Sequence, residues 1–211
     1  ADDMGLGKTV QVLAFLDGLR AKRALSRKAP ALVVAPRSVL GNWAAEAARF
    51  APKLRPTVHL GSARAEDAAA LTRGALVITS YQTLLRDLAM FKQVPWRTVI
   101  FDEAQALKNP DTQLRDAAAA LPARSRFCIT GTPIENHLGE LWSQVDLVMP
   151  GVLGRRRAFD AVFRRPIEQH GDTAMLTRLQ QRLRPFMLRR RKANWAAEAA
   201  RFAPKLRPTV H

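Results

Sequence analysis

The 211-residue sequence predicts an α/β domain, three layers deep, built on a mostly parallel sheet. Five short apolar runs alternate with helical segments, the pattern of strands crossed over by helices. Three of those runs are continuously apolar at the centre, as strands buried on both faces should be. A glycine-rich Lys-Thr turn opens the first helix, and a later run ends in two acids.

The runs Ala31-Leu-Val-Val-Ala35, Thr57-Val-His-Leu60, Ala75-Leu-Val-Ile-Thr79, Thr98-Val-Ile-Phe-Asp102 and Arg126-Phe-Cys-Ile-Thr130 read as strands. Helices are expected near 9–25, 38–50, 82–91 and 111–121. A further helix over 138–149 puts Leu138, Leu141, Val145 and Val148 on one stripe. Ligands of such sheets bind at the carboxyl ends of the strands. Thr9, Asp102 and Thr130 all fall at or just after such ends.

The chemistry sits in two segments. Ala1-Asp-Asp-Met-Gly-Leu-Gly-Lys-Thr9 has the composition of a phosphate-binding loop. Gly5 and Gly7, with Leu6 between them, allow a tight turn whose N–H groups face phosphate oxygens, and the following helix adds its positive end. Lys8 can reach the outer phosphates of a nucleoside triphosphate, and the Thr9 hydroxyl can ligate Mg²⁺. The strand Val99-Ile-Phe-Asp-Glu103 delivers Asp102 to the metal's second shell. It sets Glu103 to orient or deprotonate the attacking water. Asp2 stands where the strict phosphate-loop pattern has its first glycine, and the variant present is the one found in helicase-like ATPases.

Composition narrows the class further. With 47% hydrophobic residues the chain can bury a core, and its net charge is +16. The charge is concentrated in residues 151–193, which hold 12 basic and 3 acidic side chains. Such density points to a polyanion or to a solvated basic face. Cys128 is the only cysteine, so no intrachain disulfide or Cys/His metal cluster is available, and it reads as a small buried residue. No signal peptide and no apolar run of 18 residues is present, which leads to an expected cytoplasmic location.

Three segments are expected. Residues 1–150 form the nucleotide-binding lobe, 151–193 a basic helical extension, and 194–211 repeat 42–59 without a mismatch. The repeat reads as artefactual or unstructured. A phosphate loop ordinarily follows a buried strand, so the strand that feeds the loop is expected to be missing and the chain to be a fragment.

These motifs resemble, in order, those of the Snf2-type branch of superfamily 2 DNA translocases. Asp3-Met-Gly-Leu-Gly-Lys-Thr-Val-Gln11 is similar to the first ATPase motif. Val33-Val-Ala-Pro36 with Ser38 and Asn42-Trp43, Ile78-Thr-Ser-Tyr81, and Asp102-Glu-Ala-Gln105 follow as later motifs. Thr130-Gly-Thr-Pro-Ile-Glu-Asn136 resembles the third motif, and Phe186-Met-Leu-Arg-Arg-Arg-Lys192 the segment leading to a second lobe. Gln105 replaces the His common among relatives, a form that resembles bacterial members.

The resemblance implies the first RecA-like lobe of a double-stranded-DNA translocase that uses ATP and Mg²⁺, bacterial and located at the nucleoid. It implies nucleotide chemistry at Lys8, Thr9, Asp102, Glu103 and Gln105. DNA-backbone contact or coupling is implied for Ser38, Thr79, Ser80, Tyr81, Thr130, Gly131 and Thr132. It also implies a second RecA-like lobe as partner, absent from these residues. Read from the residues, Ser38 can equally be a helix cap, and Tyr81 packing. Trp43 and Trp142 read as core, and Asn136 as a cap for the next helix. Part of the arginine cluster of 155–157, 164–165 and 189–191 is expected to line the DNA path or the interlobe face, the alternative being that Arg189 to Arg191 orient the linker by pairing with carboxylates of the lobe. A strand-separating DNA or RNA helicase lobe, and a non-catalytic DNA-binding fragment, are the other functions weighed.

Overall fold

The structure is a computed structural model that describes residues 7–131 and 137–188. Helix α1 (Lys8–Ala21) leads to strand β1 (Ala31–Ala35) and α2 (Leu40–Phe50). Then come β2 (Pro56–His59), the short α3 (Ala68–Leu71) and β3 (Leu76–Ser80). Helices α4 (Tyr81–Arg86) and α5 (Leu88–Phe91) precede β4 (Thr98–Asp102). Helix α6 (Gln113–Ala119), β5 (Arg126–Ile129) and α7 (Leu138–Val148) complete the lobe.

The strands form one five-stranded sheet in the order β2-β3-β1-β4-β5, with every pairing parallel. The expected three-layer α/β architecture is what forms. The five expected strands are present, with ends that move by at most one residue. β1, β3 and β4 are buried along their whole length, which is why their sequences do not alternate. One face of the sheet packs Leu32, Val34, Val77, Val99 and Phe101 against Leu84, Phe91 and Trp96. The other packs Val33, Ile78 and Ile100 against Leu13 and Leu16 of α1 and Trp43 of α2.

Helices depart from expectation at α1, in the stretch 82–91, and at α6, which covers Gln113–Ala119 of the expected 111–121. α1 stops at Ala21, and Arg23 then adopts a left-handed conformation at φ 57°. The stretch expected as one helix over 82–91 divides at Asp87, which leaves helical geometry at ψ 23°. Its carboxylate meets the buried His59 Nε2 at 2.8 Å and accepts from Arg64 at 3.3 Å. A side chain used by β2 and the loop after it sets this break.

After α7 the chain forms α8 (Arg156–Phe159), a π-type turn (Asp160–Arg164), α9 (Arg165–His170) and α10 (Thr173–Leu183). Phe159, Phe163, Leu179 and Leu183 pack on Leu138, Leu141 and Val145, so the extension shares a core with the stripe of α7. Leu138 N–H donates to Glu168 of α9, which ties the start of α7 to the extension. Arg156 makes a two-pronged contact with Asp111 at 2.9 and 3.0 Å, and Arg164 pairs with Asp160 and Glu168. Arg155, Arg157 and Arg165 are exposed. The segments 189–191 and 194–211, and Asn136, lie outside the described residues. No described helix is long and apolar enough to cross a membrane.

β5 is an edge strand of this sheet. Beside it lies a groove of about 470 Å³, walled by Phe15 of α1, Phe127 and Cys128 of β5, Val145 of α7, and Met187. Phe15 and Phe127 meet edge-on at 5.4 Å yet remain 45% and 41% exposed. Burial pushes the Cys128 thiol up from 9.0 to about 12. Between those values the unfolded chain releases this proton and the folded chain does not, so stability falls as pH rises. Comparing wild type with Cys128→Ala in denaturant titrations from pH 8 to 11 isolates this term. The wild type should lose stability relative to the variant by up to about 1.4 kcal/mol per pH unit above pH 9.

Candidate nucleotide site

The expected site residues from the described part of the chain meet at the carboxyl end of the sheet. Gly7 precedes α1 at φ 69°, a left-handed conformation that suits glycine. No side chain caps α1, and no acid lies in its first turn. Lys8 is half-buried at this end and lies close enough to Asp102 for its charge to favour the carboxylate. Thr9 follows it in the first turn. Gly5 and Leu6 lie outside the described residues, as does Thr132.

Asp102 is the last residue of β4 and only 8% exposed. Trp43 Nε1–H donates to its Oδ2 at 2.8 Å, and the Glu103 backbone N–H donates to its Oδ1 at 3.0 Å. Tyr81 Oη–H donates to its backbone carbonyl at 2.7 Å. Burial raises the Asp102 pKa above the usual carboxylate range, and the nearby Glu103 charge adds to this. The indole hydrogen bond, the Glu103 N–H and Lys8 act the other way. A divalent cation would act in that same direction, by stabilising the ionised form.

Glu103 turns the chain. It adopts φ 48°, ψ 55°, a left-handed conformation that costs a non-glycine residue about 1–2 kcal/mol. The chain then closes a 3₁₀ turn over Ala104–Leu107. In that turn Gln105 Nε2–H donates to Glu103 Oε2 at 2.9 Å, while its Oε1 accepts from Thr130 Oγ1 at 3.0 Å. Gln105 thus joins the acid pair to the end of β5, where Thr130 is 3% exposed and Gly131 half-buried. Ser143 of α7 donates to the Leu107 carbonyl at 2.9 Å, and Lys108 lies 3.4 Å from the buried Glu140.

The residues expected at DNA divide into two groups. Ser38 is exposed in the 3₁₀ turn after β1, and neither that turn nor α2 has a side-chain cap, so the capping alternative fails. Thr79, Ser80 and Tyr81 are at most 4% exposed, and their hydroxyls are used inside the lobe. Thr79 donates to the His59 carbonyl at 2.9 Å, and Ser80 caps α4 by accepting from Thr83 N–H at 3.1 Å. Burial also pushes the Tyr81 phenol well up, so it stays a neutral donor. The packing alternative therefore describes Tyr81.

The family of the SNF2-related domain matches residues 1–210. The chain belongs to this family. It is 42% identical over 195 residues to YwqA of Bacillus subtilis, whose name describes an ATP-dependent helicase/translocase. That match covers 91% of this chain and 21% of YwqA. It is 36% identical over 209 residues to the human chromatin-remodeling ATPase INO80, covering 91% of this chain and 13% of that protein. The Sulfolobus solfataricus SWI2/SNF2 ATPase core, solved in complex with dsDNA, superimposes with a TM-score of 0.82 at 39% identity. There 91% of this chain covers 39% of that one. The fold is the RecA-like fold of that ATPase core, and the chain spans about a fifth or less of the curated relatives named here.

Gln105 offers a direct test. Gln105→Leu removes both hydrogen bonds at similar volume and should cost about 1–2 kcal/mol. A urea midpoint unchanged by the substitution would contradict the bridge.

Proposed function

We propose that the chain is the ATP-binding lobe of a double-stranded-DNA translocase, in which ATP hydrolysis drives movement on DNA or remodels protein–DNA complexes. The observation that carries this reading is the convergence of Lys8, at the start of α1, with Asp102 and Glu103 at the end of β4. The likeness to a SWI2/SNF2 core solved with dsDNA supports duplex DNA as the partner. Neither separates duplex movement from strand separation, and ATPase stimulation by duplex against single strands in the intact protein distinguishes the two.

Lys8 and the N–H groups opening α1 would bind the phosphates, with Gly5, Leu6 and Gly7 forming the loop. Thr9 and Asp102 offer hard oxygen donors. Among the described residues no three His, Cys, Asp or Glu side chains converge as a metal cage. That donor set fits Mg²⁺, which keeps several waters and takes further ligands from phosphates. The cation would neutralise phosphate charge as the terminal phosphoryl group leaves. Glu103, oriented by Gln105, would position the attacking water and take its proton. Ser38 would contact the DNA backbone. Thr79, Ser80, Thr130, Gly131 and Thr132 would couple nucleotide state to DNA grip through the lobe's interior. A second RecA-like lobe of a longer parent would supply arginines worth about 10³–10⁵ in rate. The parent would act in the cytoplasm, at the nucleoid.

Lys8→Ala should abolish Mg²⁺-nucleotide binding in a thermal-shift assay, and nucleotide stabilisation retained by that variant contradicts the site. In the full-length parent, Glu103→Gln should bind ATP while hydrolysis falls by orders of magnitude. Turnover by the 211 residues alone should be weak and little stimulated by DNA.

A further inference from the structure

We infer that Trp43 is a positioning residue of the nucleotide site: its indole N–H fixes the Asp102 carboxylate in one orientation and ties it to the segment after β1. The inference rests on the nucleotide reading above and adds a residue to it. Trp43 lies on α2 and is 1% exposed among apolar neighbours, which by itself describes a core side chain. Its hydrogen bond is what differs. A buried indole needs an acceptor. Trp96, equally buried, uses the Phe91 backbone carbonyl at 2.8 Å. Trp43 instead spends its N–H on a charged side chain 59 residues away, at the same 2.8 Å.

The geometry leaves Asp102 little freedom. Oδ2 is held by the indole and Oδ1 by the next backbone N–H, so rotation of the carboxylate breaks both bonds. Each oxygen keeps lone-pair capacity for water on a cation. Tyr81 holds the carbonyl of the same residue from the opposite face of the sheet. The two clamps come from the segments following β1 and β3, the successive neighbours of β4 in the sheet order. Displacement of α2 by a ligand at the exposed Arg37–Ser38 turn would reach the acid through one hydrogen bond. Phenylalanine at position 43 would fill most of the same volume and supply none of this.

The test compares the 211-residue chain with Trp43→Phe, measuring nucleotide binding across a Mg²⁺ titration and again in EDTA. Residues behind a metal site typically contribute about 10–100-fold to its affinity, so apparent Mg²⁺ affinity should weaken by about tenfold or more. Binding in EDTA should be unchanged. Placed in an Asp102→Asn background, the substitution should add nothing to the metal effect. An unchanged Mg²⁺ dependence, or an equal loss with and without Mg²⁺, overturns the assignment. Wild type that shows no Mg²⁺-dependent binding overturns the nucleotide reading and this inference together. Wild type that binds beside an unaffected variant overturns only the role of Trp43. Should Trp43→Phe not fold, ¹⁵N-indole spectra of the wild type decide the question, with the other three tryptophans assigned by substitution. Mn²⁺-nucleotide should broaden the Trp43 signal, and a sharp Trp43 signal under saturating Mn²⁺-nucleotide refutes the inference.

Discussion

A carboxylate held almost out of water at the end of a buried strand is the constraint around which this lobe is arranged. Removing the charge of an ionised Asp102 from water is costly. The fold offsets that cost with donors rather than solvent. Trp43 and the Glu103 N–H engage the two oxygens, Tyr81 the carbonyl, and Lys8 contributes charge across the site. These donors come from α2, the turn after β4, α4 and α1. Three of these elements, α1, α2 and α4, are remote in sequence and need the sheet order β3-β1-β4 to bring them to one residue. Packing of the two sheet faces is what makes the donors stay in place, since both Trp43 and Tyr81 belong to those cores.

The second constraint is the reversal at Glu103. A left-handed residue that is not glycine stores strain, and here the strain has a structural return. It folds the chain back so that Gln105 can touch both Glu103 and Thr130. The end of β5 is thereby coupled to the acid pair without a covalent neighbour relation. α7 joins the same network from outside, through Ser143 on the Leu107 carbonyl and Glu140 near Lys108. Because α7 also carries the core of the arginine-rich extension, the acid turn and the extension share one rigid helix.

Much of this was legible in the sequence because it rests on local rules. Continuous apolar runs marked β1, β3 and β4, and the Lys-Thr and Asp-Glu pairs marked the two ends of the site. What local rules could not reveal is where polar side chains spend their hydrogen bonds. Trp43 read as core, which is true of its ring and misses its N–H. Thr79, Ser80 and Tyr81 sit where exposed hydroxyls at strand ends would be useful, yet their partners are His59, Thr83 and Asp102. The break at Asp87 was hidden for the same reason, since His59 and Arg64 reach it from 28 and 23 residues away. One sequence signal did exist for Trp43. An indole in a helix directly after a buried strand ends near the strand's carboxyl edge, where polar acceptors of the site collect.

The positive charge of the extension takes a different form once contacts are assigned. Arg156 is matched to Asp111, Arg164 to Asp160 and Glu168, and in the lobe Arg115 to Asp146. Arg189 to Arg191, for which pairing with lobe carboxylates was the alternative, lie outside the described residues. Arg115–Asp146 joins α6 to α7, the Arg164 pairs are local to one turn, and exposed pairs such as Arg156–Asp111 contribute at most about 1 kcal/mol. Arg155, Arg157 and Arg165 remain exposed on the same segment, anchored beneath by Phe159 and Phe163. A polyanion approaching this face would meet cations held by a packed core rather than by a loose tail. Such cations lose little side-chain-bearing backbone freedom on binding, so their attraction is spent on the contact itself. The same core continues into α7 and from there, through Ser143, to the turn after Glu103.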